Sequence, residues 1–361
     1  MRRKCPLLTQ SGHRPLPEHA QKLLRSWCPS LGGKEHEAAG IHQVTRRRDG
    51  GLAVYSTCTA SSEAGDRVLE RPLPRRYWAG IAGVSQRSGR SRLFDGQNVT
   101  IEYRWARGEY GRLPAFAAEF VQRRVNVLVA TGGNASALAA KHATATIPIV
   151  FVAGDPVRHG LVQSINRPGG NVTGSVIPTT DMDQKRLSLL HELVPTVPLI
   201  HALLNPKSPG QENQLPEIEQ AAQAIGRRLF VAKASNDEEL NAAFALLLQQ
   251  GIGALLVAAD PYFDTRRDHI IAFAAQNRLP NVYHFREYAF AGGLISYGPS
   301  ITDGYWQAGN YTGRILKGEK PGELPILQPT KFDFVINLKT AKTLGLTVPF
   351  GLLNAADEVI E

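Results

Sequence analysis

Polar residues and glycines follow several apolar segments of this chain, at the points where a strand would end. Thr131, Gly132 and Gly133 come directly after one apolar run, and Asp155 follows the next. Backbone N–H groups and a hydroxyl at the start of a helix are suited to holding a carboxylate, because the positive end of the helix points at it. The Asp155 carboxylate is suited to an ammonium group. The alternative for both is an ordinary turn that caps the following segment.

A similar set recurs later in the chain. Asn205 follows the apolar segment 199–204, and Asp260 follows the segment 254–258. Tyr297 ends another strand-like segment, where its ring could stack on the apolar part of a ligand. The alternatives are turn chemistry before the prolines that follow Asn205 and Asp260, and an aromatic ring that belongs to the core. Together the two sets predict a ligand-binding cleft.

The sequence carries no pattern that is typical of catalysis or of metal binding. His191 and Glu192 are not followed by the second histidine of a zinc-protease motif, and there is no G-x-S-x-G segment. The three cysteines, Cys5, Cys28 and Cys58, lack metal-ligand spacing. The Thr131 segment is neither a dinucleotide fingerprint nor a phosphate loop with its lysine. We therefore expect no enzymatic activity, no cofactor and no metal.

The elements that would position these residues alternate regularly from Asp95 onward. Strand-like and helix-like segments follow one another in two series of similar size, which predicts an α/β protein with two lobes, each a doubly wound parallel sheet. The Pro- and Gly-rich segment 166–174 separates the series, and further crossings are expected near 293–298 and 332–337. Ligands bind at the carboxyl ends of the strands in such sheets. We therefore expect a hinged cleft between the lobes.

From Asp95 to Glu361 the chain resembles bacterial ABC-transporter substrate-binding proteins of the tryptophan/tyrosine-receptor type. The resemblance rests on ordered motifs: DGQNV at 95–99, YRWA at 103–106, ATGG at 130–133, GDPV at 154–157, NRPGGNVTG at 166–174, ADPYF at 259–263, GLISYG at 293–298 and PTKF at 329–332. It implies a periplasmic receptor with the type I binding-protein fold, which closes on a small molecule such as an amino acid and presents it to permease subunits.

The resemblance and the crossings together predict the domain boundaries. Lobe 1 is expected to comprise 95–174 with 298–332, and lobe 2 to comprise 175–297 with 333–361. Two rival functions remain open. One is the effector domain of a transcriptional regulator, and the other is an α/β enzyme that uses Asp155 and Asp260 as paired carboxylates.

The first 94 residues differ from the rest of the chain in charge. Residues 1–93 contain 17 Lys and Arg against 7 Asp and Glu, whereas the remainder contains 24 against 25. A basic excess normally suggests nucleic acid. This segment has no sustained helical or strand period and no helix-turn-helix pattern, so it is typical of disordered or unselected sequence. We expect no nucleic-acid partner.

A change of reading frame accounts for this segment. Relatives of this kind begin with a twin-arginine export signal, Ala-Trp-Pro, Ala-Gln-Gln and a first strand such as Val-Ile-Gly-Phe-Leu-Ser. None of these occurs in 1–93, but a shift by one nucleotide permits all of them in order between residues 37 and about 92. We interpret this stretch as an out-of-frame translation, with 1–36 as upstream sequence. The alternative is a natural basic extension or an unrelated domain.

The frameshift hypothesis has two consequences for the chain as written. Lobe 1 is expected to lack its first strand. The longest apolar run in residues 1–94 is 51–55, which is too short for an export signal. We therefore expect this chain to stay in the cytoplasm, although the proteins it resembles are periplasmic. No segment approaches the length of a membrane span.

Overall fold

The structure is a computed structural model that describes the backbone of residues 40–44 together with residues 99–209, 211–251 and 253–361. The expectations for residues 1–94 therefore lie outside the described residues, apart from one short strand. Over the described ranges, none of the helices combines the length and the apolar character needed to cross a membrane.

Strands and helices alternate along most of the described chain. The strands are β1 (Gly40–Val44), β2 (Ile101–Trp105), β3 (Leu128–Ala130), β4 (Ile149–Ala153), β5 (Val172–Val176), β6 (Leu199–Leu204), β7 (Arg228–Lys233), β8 (Ala254–Val257), β9 (Asn281–Tyr283), β10 (Ile295–Pro299), β11 (Phe332–Asn337) and β12 (Glu358–Ile360). The α-helices are α1 (Leu113–Gln122), α2 (Gly133–Ala143), α3 (Asp183–Leu193), α4 (Gln211–Ala224), α5 (Asp237–Gln249), α6 (Pro261–Thr265), α7 (Arg267–Gln276), α8 (Arg286–Phe290), α9 (Ile301–Ile315), α10 (Leu338–Thr343) and α11 (Phe350–Ala355).

The first sheet has five strands in the order β2-β1-β3-β4-β5. Strands β3, β4 and β5 are parallel and buried along their whole length. Strands that are buried on both faces read as continuous apolar runs, which explains the sequence of β3 and β4. Helices α1, α2 and α9 pack against this sheet. The sheet and these three helices are called lobe 1.

Strand β1 occupies the place between β2 and β3. It runs antiparallel to both, with Gly40 opposite Trp105 and His42 opposite both Tyr103 and Val129. The sequence led us to expect that lobe 1 lacks its first strand, whereas the structure fills that place with residues 40–44. Two neighbouring strands that lack a partner expose backbone N–H and C=O groups, and a strand of either direction satisfies them.

The second sheet has seven strands in the order β12-β11-β10-β9-β8-β6-β7. The pairings from β7 to β10 are all parallel, β11 runs antiparallel to β10, and β12 is parallel to β11. Alternate residues of its strands point to opposite faces. Leu203 and Val257 pack with α5 and α7, and Ile200 and Leu256 pack with α3 and α4. This sheet with helices α3–α8, α10 and α11 is called lobe 2.

The chain crosses between the lobes three times. The first crossing follows β5 and leads into α3, the second joins β10 to α9, and the third lies between Leu327 and β11. Leu327 belongs to lobe 1, since its backbone N–H donates to Gly174 O at 3.0 Å and its carbonyl accepts from Val176 N at 2.7 Å. Gly304 allows α9 to pack closely on the end of β5 after the second crossing, because a Cβ there would lie 2.9 Å from the Ile177 side chain.

Two local expectations differ from the structure. The segment 166–174, expected to be a turn, ends in strand β5, because its last three residues and the next two pair with β4. The segment 157–164, which Asp155 would cap as a helix in the alternative given above, forms turns up to residue 160 and irregular backbone after it. Its Gly160 has a positive φ of 65°, a conformation that interrupts a right-handed helix.

Candidate functional site

The carboxyl ends of strands from both lobes meet in one gap. Gly133 of lobe 1 follows β3, and Pro261 of lobe 2 follows β8. A Cβ at Gly133 would lie 3.4 Å from the Pro261 ring. The strand ends that the sequence selected, near Gly133 in lobe 1 and at Asp260 in lobe 2, therefore lie against each other.

Asp260 accepts several hydrogen bonds in this gap. Its Oδ1 accepts hydrogen bonds from Asn205 Nδ2 at 2.8 Å, from Tyr262 N at 2.9 Å and from Tyr110 Oη at 2.9 Å. The Tyr262 bond makes Asp260 the N-cap of α6. Its Oδ2 is also buried, and it accepts no hydrogen bond from the described residues. One carboxylate oxygen is thus saturated, while the other still has its acceptor capacity.

Burial raises the pKa values of both Asp260 and Tyr110. Asp260 is 3% exposed, and burial raises the pKa of its carboxyl, while the side chains of Asn205, Ser208 and Tyr110 oppose that rise. The Ser208 hydroxyl acts on the carboxyl without meeting the geometry of a hydrogen bond to Oδ2. Burial also raises the pKa of the Tyr110 hydroxyl well above its usual value, with the charge of Asp260 as the next cause. Tyr110 therefore remains a neutral donor over the physiological range.

The Thr131–Gly133 turn lies at the start of α2. Gly132 N donates to Ser136 Oγ at 2.9 Å, and that hydroxyl donates to Gly133 O at 2.9 Å. Gly133 has a φ of 69°, which a residue with a side chain would adopt only with strain. Asn134 and Ser136 follow the turn and are residue types that commonly cap a helix. Gly132 is the N-cap instead, without a side-chain bond, and Asn134 Oδ1 accepts from Gly154 N at 3.0 Å.

Asp155 lies at the mouth of the cleft. Its Oδ1 accepts from Val157 N at 3.1 Å and from Arg158 N at 3.0 Å, so one oxygen stabilises the turn. Arg158 also forms an exposed ion pair with Glu217 of lobe 2, with 3.3 Å between the charged atoms. A cavity opens between the lobes here, lined by Asp155, Arg158, His159, Thr180, Pro209, Asn213, Gln214 and Glu217.

Asn205 contributes to the site by holding other groups. While its Nδ2 donates to Asp260, its Oδ1 accepts from Lys207 N at 2.9 Å. The Asn205 side chain therefore stabilises the turn at Lys207, as the alternative role predicted, and contacts Asp260 as well. Asn205 is 3% exposed, so it acts as a support for Asp260.

Tyr297 takes a different position from the other selected residues. Its ring stacks on Phe332 with centroids 6.2 Å apart and meets Phe334 edge-on at 6.4 Å. The side chain packs against the core of lobe 2, while its backbone carbonyl accepts a hydrogen bond from Arg186 Nε at 2.8 Å. The structure therefore joins Asn205 to Asp260, places Gly133 of the Thr131–Gly133 turn against the residue that follows Asp260, and places Asp155 beside a cavity. It gives Tyr297 a packing role.

A buried ionic network beside the cleft was not selected from the sequence. Arg186 and Asp183 are 0% and 1% exposed, and their ion pair has 2.5 Å between Nη1 and Oδ1. Gln214 Nε2 donates to the second Asp183 oxygen at 2.8 Å. Arg186 also donates to the Thr179 carbonyl in the first crossing at 2.6 Å. The i,i+3 spacing of the pair is the only sequence signal, and it is common on exposed helices.

Tyr110 was also missed. It belongs to a single turn of 3₁₀ helix, Tyr110–Arg112, in a loop of lobe 1, and it is 150 positions away from Asp260. No local pattern relates two residues at that distance.

The described residues contain no group of three or more His, Cys, Asp or Glu side chains placed to hold a metal ion.

Comparison with known proteins agrees with this geometry. The family described as ABC transporter substrate binding protein matches residues 85–360. A curated relative from Clostridioides difficile (strain R20291), named a tyrosine-binding protein, is 27% identical over 255 residues, which cover 70% of this chain and 72% of the relative.

Solved structures extend the comparison to the fold. A protein from Vibrio cholerae O1 biovar El Tor, titled a conserved domain protein, has a TM-score of 0.72 and 26% identity, covering 86% of this chain and 99% of that chain. A domain from Streptococcus pneumoniae, solved in complex with L-Trp, has a TM-score of 0.65 and 22% identity, covering 79% of this chain and 94% of that chain.

Proposed function

The chain belongs to the family of ABC transporter substrate-binding proteins, and on this premise we propose that it closes its two lobes on an α-amino acid. The family and the relatives are binding proteins, which favours a receptor over both an enzyme and the effector domain of a transcriptional regulator. Receptors of this family bind small ligands for ABC permeases, and a permease is the partner that we propose for this chain.

The observation that carries the proposal is the second oxygen of Asp260. A buried carboxylate oxygen without a donor costs about 1–3 kcal/mol, and more when the group is charged. A ligand ammonium group would donate to Oδ2 and supply the missing positive charge. The ligand reaches this oxygen when the lobes part, and closure then excludes water from the ion pair, which strengthens it.

The carboxylate of the same ligand has a complementary place in lobe 1. The Thr131–Gly133 turn stands at the positive end of α2, an 11-residue helix, and Gly133 faces the residue that follows Asp260. An α-amino acid carries its ammonium and carboxylate groups on the same carbon atom, so it would span the two lobes at this point. Asp155 would then lie beside groups farther along the ligand when the lobes are apart.

The relatives support an amino acid as the ligand class. One relative is named for tyrosine, and a protein of the same fold was crystallised with L-Trp. We propose an aromatic amino acid for this chain. Tyr297 contributes little to its recognition, since its ring is already packed against two phenylalanines.

The test is titration calorimetry of the full 361-residue chain with L-tyrosine and L-tryptophan. Tyramine, which lacks the carboxylate, and 3-(4-hydroxyphenyl)propionate, which lacks the ammonium, serve as analogues. Asp260→Asn keeps the shape of the side chain and its bonded oxygen, and should weaken binding of the amino acid by about 1.5–3 kcal/mol. Asp303→Asn, an exposed residue of α9, is the matched control. Equal affinity of both variants would assign Asp260 to the turn alone.

We further propose that residues 37 to about 92 are an out-of-frame translation of the export signal, first strand and first helix. The family match begins at residue 85, close to the end of this stretch. The genomic DNA should contain an ATG that overlaps the His36 and Glu37 codons and an open shifted reading to about Leu93. A stop codon within that window would contradict the frameshift. Restoring the shifted reading should direct the protein to the periplasm.

A further inference from the structure

A turn of lobe 1 reaches across the cleft to the proposed ligand-binding carboxylate. Tyr110 Oη donates to Asp260 Oδ1 at 2.9 Å, and the two residues belong to different lobes. Two other donors to the same oxygen, Asn205 Nδ2 and Tyr262 N, belong to lobe 2. Opening of the cleft therefore breaks one of the three bonds and leaves two intact.

The backbone of lobe 1 is shaped to deliver this hydroxyl. Arg107 and Gly108 have φ values of 54° and 78°, so the chain reverses sharply after β2. A Cβ at Gly108 would lie 2.8 Å from the ring of Tyr262 in lobe 2, so only glycine allows this approach. The hydroxyl of Tyr262 is itself held by Asp237 at 2.9 Å. The hydroxyls of Tyr110 from lobe 1 and Tyr262 from lobe 2 thus each donate to an aspartate of lobe 2.

We propose that Tyr110 is a positioning residue for the ligand, which holds the Asp260 carboxylate in the orientation that receives the ligand ammonium group and does so only when the lobes are closed. This inference rests on the proposed function. With Oδ1 held by three donors, the carboxyl plane cannot rotate, and Oδ2 keeps one direction. Closure and recognition then become a single event, because the third bond forms only when the lobes meet.

The substitution Tyr110→Phe tests this, because it removes one hydroxyl and keeps the ring. Tyr311→Phe is a matched control, since the Tyr311 hydroxyl donates to the Pro325 carbonyl at 2.7 Å within lobe 1. Distances between the lobes are measured by spin labels at Ala145→Cys and Ala242→Cys, two exposed positions, with the native cysteines replaced by serine. Without ligand, Tyr110→Phe should shift the distribution to longer distances, and Tyr311→Phe should not.

Binding kinetics with L-tyrosine and L-tryptophan complete the test. Tyr110→Phe should raise the dissociation rate about tenfold or more, the effect of one hydrogen bond to a charged group, and should leave the association rate within about twofold. The inference would be overturned if Tyr110→Phe changed neither the distances nor the rates. It would also be overturned if the variant bound the amino acid more tightly, because the Tyr110 hydroxyl would then compete with the ligand. The distance measurement needs no ligand. If neither amino acid binds while the distances shift, the proposed ligand is wrong and the lobe contact stands.

Discussion

The two lobes of this protein obtain their sheets in different ways. Lobe 2 builds five parallel strands, β6 to β10, from one continuous stretch of chain, and adds β11 and β12 after the second and third crossings. Lobe 1 places β1 from residues 40–44 beside β2 and β3, antiparallel to both. Strands that follow one another through helices pair in parallel almost by necessity. A strand that comes from far away carries no such constraint, so lobe 1 depends on a pairing that the local sequence does not enforce.

The largest effect is expected where lobe 2 meets the crossings. Arg186→Met leaves the buried Asp183 without its positive partner, so the free energy of unfolding should fall by about 3–5 kcal/mol. The double variant with Asp183→Asn should recover much of this loss, because it removes the uncompensated charge. Guanidinium chloride unfolding followed by circular dichroism measures both.

The control for this change is Arg314→Met. Arg314 forms an exposed ion pair with Glu319, and such pairs contribute about 1 kcal/mol or less. Equal losses for the two arginine variants would show that burial of the Arg186 pair is unimportant for stability.

A smaller effect is expected in lobe 1 when its distant strand is disturbed. His42→Pro removes a backbone N–H from the middle of β1, and a central strand tolerates proline poorly. Hydrogen exchange monitored by mass spectrometry should report a loss of about 1–3 kcal/mol of protection in β2 and β3. Strands β6 to β9 provide an internal control that should not change. If β2 and β3 keep their protection, residues 40–44 do not support the sheet, and the strand of the shifted reading frame is required there.

The smallest effect concerns the cost of holding Asp260 ready for a ligand. Its folded-state pKa is raised by burial, so the stability that its protonated form contributes is present at low pH and is lost as the pH rises through the folded-state pKa. Asp260→Asn avoids that loss. Without ligand it should be more stable than the wild type by about 0.5–2 kcal/mol at pH 7, and this advantage should disappear below the unfolded-state pKa.

Thermal unfolding between pH 4 and pH 8 measures this difference. The affinity of the wild type for an amino acid should rise with pH while its stability falls, since the ionised carboxylate binds the ammonium group. An advantage of Asp260→Asn that did not grow with pH would show that the carboxyl is ionised without cost.

The sequence predicted the elements of lobe 2 well where they are long and regular. Strand β6 was predicted with the bounds that the structure has, because buried parallel strands form apolar runs between turn residues. The segment 332–337, expected as a crossing, is strand β11 instead. Strand β9 and helices α6 to α8 were not predicted. They are three to ten residues long and are rich in aromatic residues. Segments of this length contain too few residues to show a clear helical or strand period.

The candidate site was predicted in part for a related reason. Strand ends in an α/β protein can be located from sequence, so Thr131, Asn205 and Asp260 were selected together. Their roles depend on distant partners. The side chain that completes the Asp260 site is Tyr110, from another lobe, and the ring of Tyr297 was drawn into the core by Phe332 and Phe334.

The position of Arg186 has a mechanical consequence for the cleft. Its guanidinium donates to the Thr179 carbonyl in the first crossing, and its Nε donates to the Tyr297 carbonyl just before the second. Because one rigid planar group holds both segments, a twist of either one is passed to the other. The remaining connection is tied to β5 through Leu327. A change in the backbone of one crossing therefore disturbs the other, so the first two crossings act as one joint when the cleft opens.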